Sequence, residues 1–374
     1  MKTNRRQFLS GTAATVAGLS LPSANLLAES KSDKPLNILV LGGTGFIGPH
    51  IVRKFLSRGH KVTLFNRGKR NTHLFPDLET IVGDRDPKKG KGLSGLEGRK
   101  FDVVVDNSGY VPRHVEGSAK LLSDLAPHYL FISTVAVYDQ TITGEITEDS
   151  PLLELSEPGS EDVGKHYGAL KVLCEAAVAK HYPKNHTILR PTYIIGPGDH
   201  TDRFIHYIDR PLHGGRMAMP APKSNSLRFV DVRDLADYVL NSIENKLTGI
   251  YNMVNDPGSV NWGQYLDLSV SLSKSDVQIE WMDFEFLKTQ EGFEHPVYTA
   301  FPMWLHPTNV PPISQARSLE NGFSNMPFRE TVIDTFNWWM QQSEERRTTK
   351  KRKTFPKERE MALLKAWDAY KAKS

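Results

Sequence analysis

From Leu36 onward the chain alternates short apolar, often β-branched runs with longer stretches whose apolar positions recur at helical spacing. Asn37–Leu41, Lys61–Phe65, Glu79–Val82, Phe101–Asp106, Tyr129–Ser133 and Thr187–Arg190 read as strands. Phe46–Arg58, Val115–Leu125 and residues 160–180 read as helices. Parallel neighbours need long crossovers, which helices supply, so strand–helix alternation predicts an α/β fold with a doubly wound parallel sheet. Past Arg190 the pattern loosens. Pro191, Gly196, Pro197, Gly198, Pro211, Gly214, Gly215, Pro220 and Pro222 crowd the chain and predict loop-rich substrate-side territory. The expected organisation is a dinucleotide-binding core over 36–190 and a mixed substrate-binding region over 191–342 that returns elements to the core. A basic linker and a helix over 343–374 would follow.

Composition allows this. The 374 residues are 39% hydrophobic and 24% charged, enough to bury a large core. Cys174 stands alone, which excludes an intramolecular disulfide and a cysteine-based zinc site, and no metal site is expected. The formal charge is +4, but Lys2, Arg5 and Arg6 fall in the first 28 residues with no acid among them. The rest of the chain is therefore close to neutral, which argues against a dedicated nucleic-acid binder. Between Glu344 and Arg359, eight Lys/Arg face three Glu. That stretch reads as a solvated linker before an amphipathic packing helix, Met361–Tyr370.

Residues 1–28 read as an address. Asn4-Arg5-Arg6-Gln7-Phe8-Leu9 precedes an apolar, small-residue run from Gly11 to Leu21, then Pro22-Ser23-Ala24. This resembles a twin-arginine export signal and predicts the export machinery as a partner and a periplasmic or extracytoplasmic destination. The run is too short for a stable membrane span. Residues 29–35 read as a linker.

The first strand ends in Gly42-Gly43-Thr44-Gly45-Phe46-Ile47-Gly48 as a helix opens. Glycines at such a turn supply positive φ, let backbone N–H groups approach a pyrophosphate, and allow close helix–strand packing. The second strand ends in Asn66-Arg67-Gly68-Lys69-Arg70, where a carboxylate would hold the 2′-hydroxyl of NAD. Asn66 still offers a ribose hydrogen bond, and the cations favour the 2′-phosphate of NADP over NAD. Asp84, after the third strand, is a candidate adenine contact.

His166-Tyr167-Gly168-Ala169-Leu170-Lys171 places a tyrosine and a lysine one helical turn apart. An ammonium beside a phenol lowers its pKa from about 10, so the phenol can exchange a proton as hydride moves at the same carbon. Upstream, Phe131-Ile132-Ser133-Thr134-Val135-Ala136-Val137-Tyr138 ends a strand with two hydroxyls. These segments, with Ile188–Asp199 and Phe229–Ala236, resemble the extended short-chain dehydrogenase/reductases, the NAD-dependent epimerase/dehydratase group. The resemblance covers roughly Leu36 to Met340. It implies a Rossmann-type core with Thr134 hydrogen-bonding the substrate oxygen, Tyr167 as acid/base, and Lys171 as partner of the phenolate and the cofactor ribose. Ser133 is the neighbouring hydroxyl candidate. Two departures stand out. Asp106-Asn107-Ser108-Gly109 replaces a small apolar tract, and Leu227 stands where members that bind nucleoside-diphosphate sugars often have arginine, with Arg228 beside it.

His200, Asp202 and Arg203, after the sixth strand, read either as groups that orient a polyol substrate or as a loop network. Cys174, three after Lys171, reads as a packing residue, and Trp304, Trp338 and Trp339 as core or cleft wall. The expected function is an exported oxidoreductase or epimerase acting on a secondary alcohol or ketone of a sugar-like small molecule, with a retained cofactor. The rivals are an RNA-binding relative without turnover, which the resemblance includes, and a cytoplasmic NADPH-dependent reductase.

Overall fold

The computed structural model describes residues 31–291, 293, 301–306, 311–349 and 355–373. The expected export segment lies outside them. Strands β1 (Asn37–Leu41), β2 (Lys61–Asn66), β3 (Thr80–Val82), β4 (Val103–Asp106), β5 (Tyr129–Ile132) and β6 (His186–Pro191) are followed by β7 (Ile194–Ile195), β8 (Arg216–Pro220), β9 (Val230–Asp231), β10 (Gly249–Met253) and β11 (Gln278–Met282). Seven of them form one sheet in the order β10-β6-β5-β4-β1-β2-β3, with every pairing parallel. The fold is thus the doubly wound, Rossmann-type α/β sheet.

Alternation within each strand explains why both faces are covered. Ile38 and Val40 of β1 pack with Ile51, Val52 and Phe55 of α1 (Ile47–Ser57) on one face. Leu39 and Leu41 point the other way, into a cluster with Val115, Ala119 and Leu122 of α2 (Pro112–Leu122) and Cys174 and Val178 of α3 (Val163–His181). Helix α2 starts three residues earlier than its apolar spacing predicts, because Pro112 supplies helical φ at the first turn without losing a needed N–H. Asp162 caps α3, its carboxylate accepting the Lys165 N–H at 3.2 Å.

Beyond β6 the chain shuttles between core and periphery. Helix α4 (Ile205–Asp209) and the pairs β8–β11 and β7–β9 build the peripheral layer. Helix α5 (Val232–Glu244) and β10 return to the core, α5 packing beside α1. The peripheral layer has its own aromatic core. Phe204, Tyr207, Met219, Trp304 and Trp339 gather there with Trp262 and Tyr265 of α6 (Trp262–Ser273), next to α7 (Phe328–Met340). Trp338 is partly buried against it. The terminal helix α8 (Lys357–Lys371) begins earlier than expected and buries Leu363, Leu364 and Trp367 in that cluster. Arg210 holds its Glu360 at 2.7 Å and Arg216 its Asp368 at 2.7 Å. No helix among the described residues is long and apolar enough to cross a membrane.

Strand order reverses between β1 and β4. Ligands of open α/β sheets bind outside the carboxyl ends of strands at such a switch point. The turn after β1, the segment Asp106–Gly109 after β4, and Ser133–Thr134 after β5 all open there.

Candidate active site

The turn after β1 needs its glycines for three different reasons. Gly42 and Gly43 have φ of +116° and +91°, a region closed to most side chains. A Cβ on Gly48 would lie 2.5 Å from the Gly43 backbone, so α1 docks onto its own turn only without one. A Cβ on Gly45 would stand in open space, at the opening of a helix with no side-chain cap and no acid in its first turn. Backbone N–H groups there have no side-chain partner, which suits the pyrophosphate of a dinucleotide. The loop after β2 lies over this turn. Asn71 Nδ2 donates to the Thr44 carbonyl at 2.8 Å, a contact the sequence did not suggest. Phe46 lies edge-on to His50 and to His200, each at 6.3 Å between ring centres.

At the end of β2, Asn66 Oδ1 accepts the Gly68 N–H at 2.8 Å, while Arg67, Lys69 and Arg70 are exposed. Asp84 accepts the Asp86 N–H at 3.0 Å and so shapes the turn after β3. These residues and the glycine turn fit a bound nicotinamide dinucleotide.

Thr134, Tyr167 and Lys171 come together at the ends of β5 and α3. Thr134 is buried and caps the short turn Val135–Val137, accepting the Ala136 N–H at 3.2 Å. Its hydroxyl also acts on the phenol of Tyr167, pulling that phenol's pKa down. Their closeness is enforced by Gly168, where a Cβ would lie 2.1 Å from the Ala136 carbonyl oxygen. Helix α3 therefore rests directly on the turn that carries Thr134. His166, with φ −122° and ψ 28°, breaks the helical path just before Tyr167.

One expectation is corrected. Proximity of Lys171 was expected to pull the Tyr167 pKa down, but the phenol, on a side chain that is 36% exposed, is pushed up to about 12, by desolvation of its hydroxyl first and by neighbouring Tyr110 second. The Thr134 hydroxyl and the Arg203 charge oppose the rise without cancelling it. Lys171 spends its ammonium elsewhere, donating to the carbonyls of Gly109 at 2.8 Å and Ile132 at 2.7 Å. Its Nζ also sits 4.1 Å from the Phe131 ring centre and 5.4 Å from that of Tyr110. Burial lowers its pKa to about 8, while Cys174, Asp106 and Glu175 act the other way. Tyr110 is half-exposed, 6.3 Å from the Tyr167 ring, and enters the site unannounced by any motif.

The other candidates separate. Ser133 turns inward and donates to the buried carboxylate of Glu175, which Arg190 holds at 2.6 Å, so its hydroxyl has a structural partner rather than an open face. Asp202 is buried against Arg346, 144 residues away. Arg203 stacks over the Tyr193 ring at 5.1 Å and its Nε donates to Thr201 at 3.2 Å. Cys174 is fully buried and its thiol is pushed up to about 12 by burial, as a packing residue requires.

The departure after β4 proves to be a buried network. Asp106 is fully buried and receives Arg85 through both guanidinium Nη atoms, one at 2.7 Å. Arg85 also donates to Ser118 at 2.9 Å, Tyr129 donates to Asp106 at 2.7 Å, and Ser108 ties the segment to the Leu41 carbonyl at 2.9 Å.

A glycine turn at the switch point, a Thr–Tyr pair and a lysine one turn further on define an extended short-chain dehydrogenase/reductase. The chain belongs to the NAD dependent epimerase/dehydratase family, whose model matches residues 38–254. It is 28% identical over 239 residues to a chloroplast stem-loop binding protein of 41 kDa from Arabidopsis thaliana, covering 60% of this chain and 59% of that protein. It is 29% identical over 164 residues to a UDP-glucose 4-epimerase from Neisseria meningitidis, covering 37% of this chain and 46% of the relative. The chain thus spans about half the length of these curated relatives. Among solved structures it resembles UDP-glucuronic acid 4-epimerase from Bacillus cereus in complex with NAD, at 16% identity and a TM-score of 0.60, over 82% of this chain and 97% of that one. That likeness is one of fold.

Proposed function

We propose that this protein is an exported NAD(P)-dependent oxidoreductase or epimerase acting on a secondary alcohol or ketone of a sugar or polyol. The observation that carries the reading is the Thr134–Tyr167 pair held beside Lys171 at the sheet's switch point. Gly42, Gly43, Thr44, Gly45, Phe46, Ile47 and Gly48 cradle the cofactor's pyrophosphate, Asn66 and Arg67 its adenosine ribose, Asp84 its adenine, and Lys171 its second ribose. A bound nicotinamide supplies the hydride acceptor or donor. Thr134 orients the substrate oxygen, and Tyr167 exchanges the proton with it. With its pKa near 12, Tyr167 is protonated at neutral pH and set to donate to a ketone oxygen. Export favours a cofactor restored within each cycle, because no reductant pool of NADPH is expected outside the cytoplasm.

The cofactor assignment rests on the exposed cations at the end of β2. Calorimetric titration is expected to show tighter binding of NADP than of NAD, with Arg67→Ala narrowing the gap. Equal affinities in the parent protein would remove the NADP preference. Export rests on the arginine pair. Arg5→Lys with Arg6→Lys is expected to hold the protein in the cytoplasm on fractionation, and unchanged export of the double variant rejects that route.

The stem-loop binding relative favours a second reading, RNA binding. Against it, cations of the peripheral layer and tail are engaged within the fold, Arg210 and Arg216 with α8 and Arg346 with Asp202.

A further inference from the structure

Guanidinium groups drawn wholly or partly into this fold come with carboxylates. Arg85 has Asp106, Arg190 has Glu175, Arg233 has Asp231 and Asp334, and Arg346 has Asp202. Arg203 and Arg228 break this pattern. Neither has a carboxylate within salt-bridge distance among the described residues. Among the described residues Arg203 donates only to Thr201, through Nε. Among them Arg228 donates only to the Pro311 carbonyl, at 2.6 Å, through one Nη. Most of their donors thus have no acceptor among the described residues.

The two side chains converge on Tyr193. Arg203 lies over its ring at 5.1 Å. Ile194 pairs with Val230, and the Val230 N–H donates to the Tyr193 carbonyl at 2.9 Å, so Phe229 falls opposite Tyr193 and Arg228 is the residue next to it. Tyr193 is the charge partner that acts on Arg228, whose pKa burial lowers to about 10, so the guanidinium remains charged at neutral pH. Arg203 in turn acts on the phenol of Tyr167. Both arginines are partly exposed and so open to a ligand, whose anion offsets the cost of partly desolvating a cation and gains charge-assisted hydrogen bonds.

We propose that Arg203 and Arg228 form an anion subsite, and that the substrate carries a carboxylate or phosphate on the same small sugar or polyol unit that reacts at Tyr167. Arg203 lies over Tyr193 and its charge is felt at Tyr167, which keeps the anion on that unit rather than on a distant appendage. The proposal names the substrate class of the reading above and rests on it.

The test uses the full chain loaded with dinucleotide. Calorimetry is run with glucuronate, glucose 6-phosphate, glucose, UDP-glucose and inorganic phosphate. The expected result is that glucuronate or glucose 6-phosphate outbinds glucose, more weakly as salt rises. Arg228→Gln and Arg203→Gln are each expected to weaken the charged sugar about 10- to 100-fold, leaving dinucleotide affinity unchanged. Arg228→Lys should retain part of the affinity, and thermal melts check that each variant folds. Inorganic phosphate should compete with the charged sugar in the parent protein and not in the double Gln variant. Equal binding of charged and neutral sugars overturns the subsite. So does indifference to both substitutions, failure of phosphate and both charged sugars to bind, or arginine-dependent binding confined to UDP-glucose. Tyr167→Phe separates the two claims: it should bind the charged sugar as the parent does. If that variant also turns over normally, the catalytic reading fails while the subsite stands.

Discussion

Tyr167→Phe is expected to cut turnover about 10²- to 10⁴-fold while leaving dinucleotide affinity nearly intact, the range general acid–base catalysis usually contributes. The substitution removes only the phenolic oxygen. The ring keeps its place against Tyr110, and Gly168 keeps α3 seated on the Val135–Val137 turn. Thr134→Val should also slow turnover with little change in cofactor binding. It removes the hydroxyl that pairs with Tyr167 and loosens the cap on Ala136. Lys171→Met should weaken both, because its ammonium links the carbonyls of Gly109 and Ile132 on the two strand ends that flank the site. The pattern across the three variants carries the test. A purely structural tyrosine would show its loss in thermal melts and spare the rate of the folded fraction. Full activity of Tyr167→Phe on an identified substrate would end the acid/base assignment.

What the sequence made legible was local. Alternating strand residues such as Ile38 and Leu39 already implied two covered faces, and the glycines from Gly42 to Gly48 announced a phosphate-binding turn. Tyr167 and Lys171 stood out because a helix brings residues four apart onto one face. The direction of the Lys171 ammonium was not legible, since it is set by the carbonyls of Gly109 and Ile132, 62 and 39 residues away. Tyr110 and Asn71 reach the site by loop placement, which no periodicity encodes. The same holds for Ser133 and Asp202, whose partners Glu175 and Arg346 lie 42 and 144 residues off. Gly168 carried a clue in hindsight: glycine in mid-helix weakens the helix, and here it permits a backbone contact that the site depends on.

Asp106→Asn is expected to destabilise the fold by about 3–5 kcal/mol, because it strands the buried Arg85 guanidinium without its counterion. Equilibrium urea unfolding measures this directly, and a cost below about 1 kcal/mol would show that the pair contributes little. Replacing both members, Arg85→Met with Asp106→Leu, should recover most of the loss, since a buried ion pair exchanged for apolar groups of similar volume is often neutral or better. Activity should not recover with it. Asp106 shapes the segment that ends at Gly109: it accepts the Ser108 N–H at 3.1 Å, and its Oδ2 lies 3.3 Å from where a Gly109 Cβ would be. The Gly109 carbonyl then holds the Lys171 ammonium at 2.8 Å, while the charges of Asp106 and Arg85 act on that lysine in opposite directions. An apolar pair restores packing and does not hold that segment. The double variant is therefore expected to unfold like the parent protein and still turn over slowly, because the Gly109 carbonyl is no longer held in place for the Lys171 ammonium. Parental activity in a fully stable double variant would confine the pair to the fold and detach it from the chemistry.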